Sequence, residues 1–360
     1  VCHVAFHRQL GMKAAALGAV AGMFPDVDAF FGANQGPFAQ LESHRGITHS
    51  LFFGPVVGSV FGWLYWRRLS QPAEPRNAGL PGPGMWMLLF SLALLSHPLL
   101  DLFTHYGTQL LAPFSRSRFA IPAVPILDPV YTLTLIAGLV LAAAMGRRER
   151  RGEPWRWSAG WATGITLLLS TAYLFLGLWV NTLAEAEVRR QLDAEGILAA
   201  EVYAYPTILQ LPYRRVVALD KDQGQVRVGF VSVWRPCRID WDVAALPADE
   251  LHARLADTSE GRIFTWFAGQ KLTGRLTRFD GGSMVELSDL RYGFVADASQ
   301  GMWGIRGRFA DDGSLLGEPE YFRNVPSIGA GNIGALMTSA FPSDCEKAEV
   351  PTFADFRSAD

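Results

Sequence analysis

The sequence predicts an α-helical membrane domain of four to five apolar helices followed by a small, mainly β extracytoplasmic domain. Three observations predict it. Residues 10–183 carry recurrent apolar runs with few charges, residues 185–360 intersperse acidic and basic side chains as a solvated surface does, and beyond Pro206 the hydrophobic period becomes two. The hydrophobic content of 49% over 360 residues conceals this split, because it averages the two halves. A formal charge of −2, with basic residues confined to short loops, offers no field for nucleic acid, which is therefore not expected as a partner.

A membrane-spanning helix needs about 20 apolar residues. Residues 46–66, 85–103, 130–145 and 158–180 approach that length. Residues 10–24 form a shorter, Ala- and Gly-rich fifth segment, read as a short span, a re-entrant helix or a buried amphipathic one. No basic region, apolar stretch and cleavage site follow one another as in a signal peptide, so the helices themselves are expected to direct insertion. Short cytoplasmic loops hold excess Lys and Arg. Arg67, Arg68 and Arg76 follow the second segment, and Arg147, Arg148, Arg150, Arg151 and Arg156 follow the fourth. Both loops are expected in the cytoplasm, which puts residues 29–45, 104–129 and everything after Asn181 on the opposite side.

The domain boundaries expected on this reading are 1–183 for the membrane domain, 184–204 for a connecting helix, 205–325 for the β domain and 326–360 for a loosely ordered tail. Residues 214–219, 225–234, 262–270, 274–279 and 304–309 read as strands, with Asp280-Gly281-Gly282 and Asp311-Asp312-Gly313 as turns. Cys2, Cys237 and Cys345 show no metal-ligand spacing; free thiols are the expected state, a Cys237–Cys345 disulfide the alternative in an oxidising compartment.

Six of the seven histidines lie in the first 105 residues, four of them in motifs that join the carboxylates of the same region. Pro25-Asp26-Val27-Asp28 offers two carboxylates that can converge from a turn, although an Asp at a helix end is commonly a cap. His44-Arg45-Gly46-Ile47-Thr48-His49-Ser50 offers two imidazoles, with Thr48 and Ser50 able to donate behind them. His97-Pro98-Leu99-Leu100-Asp101-Leu102-Phe103-Thr104-His105 places His97, Asp101 and His105 at i, i+4 and i+8, along one helical face. His97 should then lie roughly 12 Å deeper than His105, and Pro98 should free carbonyls nearby. Ionisable groups at such depth are costly and point to function. Asp128 reads equally as a further ligand or as an N-cap before Pro129. Arg45, Arg116 and Arg118 are basic residues on the side that should lack them, read either as clamps for an anionic group or as interfacial side chains. No nucleophile triad, P-loop or dinucleotide fingerprint is present in the sequence.

These motifs, together with Tyr106-Gly107-Thr108-Gln109 and Asp128-Pro129-Val130-Tyr131, resemble the YdjM family of bacterial, LexA-regulated inner-membrane proteins described as metal-dependent hydrolases. The resemblance covers residues 10–144 in order. Tyr205-Pro206-Thr207 and Leu290-Arg291-Tyr292-Gly293-Phe294 look like the longer subgroup. More remotely the family is similar to zinc-dependent phospholipase C and single-strand nucleases. The resemblance implies a multi-pass protein of the bacterial inner membrane that hydrolyses phosphoesters with one to three Zn²⁺ or other divalent ions, held by Asp26, Asp28, His44, His49, His97, Asp101 and His105. Members commonly begin with a segment carrying Asp-x-x-Thr and a His or Gln, which is not seen here; His3 or His7 stands as a replacement ligand. On this reading Asp26 or Asp28 acts as general base, Arg45 stabilises developing charge, and the substrate is a membrane lipid or lipid-linked phosphate. Metal or proton transport, or sensing, is the competing reading.

Overall fold

The computed structural model describes residues 1–69, 81–153, 156–198, 201–269, 271–324 and 330–345. Arg76 and most of the expected tail, residues 326–329 and 346–360, lie outside them. The chain divides into two compact units, one of residues 1–121 and 128–176, the other of residues 122–127 and 177–360.

The first unit is a bundle of apolar helices. Helices α1 (Cys2–Leu10) and α2 (Met12–Gly22) lead through a 3-10 turn, Phe24–Asp26, into α3 (Val27–Ala33). Helix α4 (Pro37–Ser43) and a second 3-10 turn, Ile47–His49, precede α5 (Phe53–Leu69); then come α6 (Pro83–Asp101), α7 (Pro129–Arg150) and the first half of α8 (Ala159–Ala194), whose residues from 177 on belong to the second unit. Among the described residues, four helical stretches are long and apolar enough to cross a membrane, and a fifth is added if the pair 37–49 and 53–69, bent by 64°, counts as one span. The four to five apolar helices expected from sequence are thus present. The second segment is shorter than expected, since its first residues fold into the 3-10 turn and α5 starts only at Phe53.

Helices α5 and α6 touch along a glycine stripe. A Cβ on Gly54, Gly58 or Gly62 would lie 3.0, 2.5 or 2.4 Å from the backbone around Leu95, Ser91 or Met87. Recurrence every fourth residue puts all three on one helical face, and without side chains there the backbones approach closely, the usual route to tight packing between membrane helices. This contact sets the spacing between the segment carrying His49 and the helix carrying His97.

The second unit holds two antiparallel four-stranded meanders. One has the order β1 (Glu201–Pro206), β2 (Tyr213–Asp220), β3 (Gln225–Ser232), β4 (Asp242–Ala245); the other has β5 (Leu272–Phe279), β6 (Gly282–Asp289), β7 (Trp303–Ala310), β8 (Glu320–Arg323). Strand β2 is buried along its whole length. Val216 and Ala218 pack against Ala184, Val188 and Leu192 of α8, whereas Val217 and Leu219 pack on the other side with Val226, Val228, Leu290 and Ala298.

Two expectations need correction here. Of the strand expected at 262–270, residues 262–268 are helical instead, in α10 (Ser259–Ala268), which follows α9 (Glu250–Asp257), and Gln270 lies outside the described residues. The Thr258 hydroxyl accepts from the Gly261 N–H, Gly269 closes the helix in the left-handed region at φ 62°, and Phe264, Phe267 and Ala268 are buried. Caps and the i, i+3, i+4 burial override the β propensity of Ile, Phe, Thr and Trp. The cysteines are also not all free, because Cys237 and Cys345 form a disulfide and only Cys2 is a free, buried thiol. Helix α8 continues without a break into the stretch read as a connecting helix, and residues 330–340 of the expected tail form α11 (Ala330–Ala340).

Candidate metal centre

Three segments of the first unit build the site. The 3-10 turn before α3 separates the roles of the two aspartates: the side chain of Asp26 is 53% exposed and that of Asp28 only 9%. In the second segment Arg45 sits at φ 58°, an uncommon and strained conformation for a residue with a Cβ, and a Cβ on Gly46 would lie 2.6 Å from the Ser43 carbonyl oxygen. This sharp turn brings the rings of His44 and His49 edge to face at 5.8 Å. In the third, α6 carries His97 and Asp101 one helical turn apart, on one face.

The three segments converge on one point. His49 Nε2 lies 3.4 Å and His97 Nε2 3.3 Å from Asp26 Oδ1, and the three donor atoms fall within 4.8 Å of one another. Asp101 Oδ2 lies 3.3 and 3.5 Å from the same two nitrogens. Tetrahedral ligands at about 2.0–2.1 Å from a Zn²⁺ ion are separated by about 3.3–3.4 Å, so these N···O spacings are compatible with atoms that share one ion. Two histidines and one or two carboxylates suit zinc and several other divalent metals.

Both rings have their orientation fixed from behind. His97 Nδ1 is 2.7 Å from the Gly22 carbonyl, which can only accept, so Nδ1 carries a proton and Nε2 is the nitrogen turned to the site. Thr48 donates its hydroxyl proton to Asp28 Oδ2, and His49 Nδ1, 3.0 Å from that hydroxyl and 3.1 Å from that carboxylate oxygen, faces acceptors only. His49 is therefore also held with Nε2 toward Asp26. A ligating histidine whose other nitrogen donates to a carboxylate or carbonyl is the usual arrangement around protein-bound metals. His49 Nε2 and Asp101 Oδ2 are buried and make no hydrogen bond of good geometry, a costly state that a shared cation relieves.

The other site residues of the sequence reading fall around this group rather than in it. Asp28 takes His44 Nδ1 at 2.8 Å on one oxygen and Thr48, the Arg45 N–H and His49 on the other, so it braces the ring system. Arg45 is buried with Nε 3.1 Å from Asp101 Oδ2 and Nη1 2.7 Å from Thr104 Oγ1, and it lies over the Tyr106 ring. Its guanidinium is turned toward Asp101, not toward an open clamp. Ser50 accepts from the Phe53 N–H at the start of α5. The α6 helix ends at Asp101, so the i+8 extrapolation fails and His105 is buried in the following loop, outside the group of three donors. Asp128 is the N-cap of α7, accepting from the Tyr131 N–H at 2.9 Å and the Tyr173 hydroxyl at 3.0 Å. Arg116 pairs with Glu42 at the surface, and Arg118 donates to the Gly107 carbonyl. On α1, His3 Nδ1 meets the Thr163 hydroxyl and His7 Nδ1 the Val4 carbonyl; neither joins the donor group.

Sequence reasoning missed the Gly22 carbonyl, Thr104 and the role of Tyr106. Thr104 bridges Arg45 and the Asp101 carbonyl, and Tyr106 stacks edgewise on His44 at 5.4 Å and under Arg45 and Arg118. The Tyr106 motif was visible as part of the family resemblance. A backbone carbonyl leaves no sequence signal.

A model of the YdjM inner membrane protein family matches residues 3–184. The chain is 25% identical over 173 residues to the uncharacterized protein YfhP of Bacillus subtilis (strain 168), an alignment covering 47% of this chain and 44% of the relative. The chain thus spans less than half the length of that relative. No solved structure matches. The likeness to zinc-dependent phospholipase C and nucleases gains no support from these matches.

Proposed function

The chain belongs to the YdjM inner membrane protein family, and from this membership and the convergence of His49, His97 and Asp26 we propose that it is a membrane-bound, metal-dependent hydrolase of phosphoesters carried by a lipid or lipid-linked molecule. The single observation that carries the reading is the pair of imidazoles, each braced at Nδ1, that present Nε2 to one carboxylate oxygen. Asp26, His49 and His97 would hold one divalent ion, for which Zn²⁺ fits the donor set, with Asp101 as the adjoining carboxylate. Such an ion supplies Lewis acidity, lowering the pKa of a bound water and polarising a phosphoryl oxygen.

The rest is done by the chain. Asp26 is the most exposed carboxylate of the group; with Oδ1 turned to the two histidines, its second oxygen would be the one to accept a proton. Asp28 and Thr48 keep the His49 proton on Nδ1, the Gly22 carbonyl does the same for His97, and Arg45 orients Asp101. Arg45 is accordingly a positioning residue. A site at the ends of membrane helices, beside a hollow that exposed Phe31 and Ile47 line together with Asp28 and Thr48, favours an amphiphilic substrate over a soluble one. The arginine-rich loops and the Cys237–Cys345 disulfide support an extracytoplasmic β domain, since structural disulfides persist in oxidising compartments.

The deciding experiment measures metal per chain in the detergent-purified protein, for wild type and His97→Ala, with phosphodiester and phospholipid hydrolysis assayed on the same samples. One equivalent of zinc and turnover, both lost in the variant, is the expected result. Bound metal without turnover on either substrate would replace hydrolysis with transport or sensing, and a folded wild type without metal would overturn the site.

A further inference from the structure

The second unit contains an apolar patch tied by a series of contacts to the point where α8 leaves the membrane. The apolar stretch of α8 ends near Trp179 and Asn181, and aromatic residues at such ends sit at the headgroup level. Arg214, fully buried at the start of β2, donates to the carbonyls of Gly177, Pro122 and Ala123, which holds the β2 end and the 122–127 loop at that level. The Leu209 N–H donates to the Leu127 carbonyl, Gln210 Nε2 to the Leu336 carbonyl and the Ser232 hydroxyl to the Ala340 carbonyl. Leu336 and Ala340 pack with Tyr213 and Phe230. Helix α11 is thereby anchored beside the same end of the sheet.

This region presents an apolar group outward, flanked by exposed Arg235, whose guanidinium donates to the Ser343 carbonyl. Trp234 is 73% exposed, Phe341 49% and Met337 42%, and the Trp234 and Phe341 rings meet edge to face at 5.6 Å. Ile126 and Leu127, in the loop that Leu209 contacts, are exposed as well. The disulfide joins the two stretches that carry the patch, because Cys237 follows Trp234 by three residues and Cys345 follows Phe341 by four. Trp carries an apolar body with a polar N–H, which suits the boundary between headgroups and acyl chains.

We propose that Trp234, Phe341 and Met337 form an interfacial anchor that rests the β domain on the lipid layer crossed by α8, with the Cys237–Cys345 disulfide clamping the two halves of the anchor together. The partner is the bilayer surface itself. The proposal stands independently of the hydrolase reading, since it uses no residue of the metal centre.

The test uses the full chain in nanodiscs of phosphatidylcholine brominated near the headgroup end of its chains. With 11 tryptophans in the chain, the Trp234 contribution is read as the emission of wild type minus that of Trp234→Phe. Bromolipid is expected to remove more than half of that contribution while aqueous iodide leaves it unchanged. Quenching by iodide alone would place Trp234 in water, and quenching by neither would mean that protein, such as a second copy, covers it; both overturn the anchor. Trp234→Tyr gives the same difference should Trp234→Phe fail to fold. In a Cys237→Ser/Cys345→Ser double variant, lipid quenching is expected to fall at least twofold, and undiminished quenching would overturn the clamp.

Discussion

The Nδ1 atom of His49 lies 3.1 Å from Asp28 Oδ2, and this contact decides which edge of the ring faces Asp26. The two aspartates, two residues apart in sequence, hence serve different ends of one imidazole.

That division predicts unequal variants. Asp26→Ala and His97→Ala remove donors and should abolish stoichiometric metal binding. Asp28→Asn leaves every donor in place but weakens the hold on His49, so affinity should fall about 10- to 100-fold with stoichiometry unchanged, the usual effect of losing a residue that braces a ligand. Metal titration of the three variants separates the two outcomes.

Asp128 stands apart from the metal. Its carboxylate caps α7 and meets Tyr173. Asp128→Ala should leave metal content unchanged while lowering stability by about 1 kcal/mol, the ordinary worth of an N-cap. A thermal melt beside a metal assay checks both halves, and loss of metal in this variant would show that Asp128 belongs to the site.

Gly58 has Ser91 backbone atoms where a Cβ would go. Gly58→Val should force α5 from α6 and destabilise the bundle by roughly 1–3 kcal/mol or more, as overpacking does. Because His49 precedes α5 and His97 lies on α6, metal affinity should fall with it. Gly164→Ala, where no neighbour stands within contact distance of an added Cβ, is the control expected to do neither.

In the β domain Asp249 caps α9 and also meets His252 Nδ1 at 2.8 Å. Partial burial works to raise the carboxyl, but the His252 backbone and ring contacts outweigh it and hold its pKa below the ordinary value. A depressed folded pKa contributes stability above the unfolded value, near 4, and loses it as pH falls through the folded one. The stability difference between wild type and Asp249→Ala should accordingly narrow as pH drops from about 5 to about 3, followed by thermal melts at fixed salt.

Much of the fold was legible because its signals are local. Apolar runs marked the spans to within several residues, and alternation marked β2, β3, β5 and β7. Residues 262–270 were misread because Ile, Phe, Thr and Trp favour strands, while the deciding features, the Thr258 cap and the left-handed Gly269, lie at the edges of the segment. The break before Phe53 was missed since Leu51 and Phe52 extend the apolar run of α5 backward toward Ile47.

The candidate site was legible as a set of residue types, not as an arrangement. By itself the sequence determined that His and Asp concentrate in three segments beside apolar runs, for charge and imidazole in such places are too costly to be incidental. Only the tertiary structure decided that Asp26, His49 and His97 share a point, that Asp28 and Arg45 stand behind them, that His105 lies beyond the end of α6, and that Cys237 reaches Cys345. Spacing along the chain fixes direction only within one element. Which donors meet across elements depends on close packing, here the glycine stripe that brings α5 against α6, and on hydrogen bonds to backbone carbonyls that every residue carries alike.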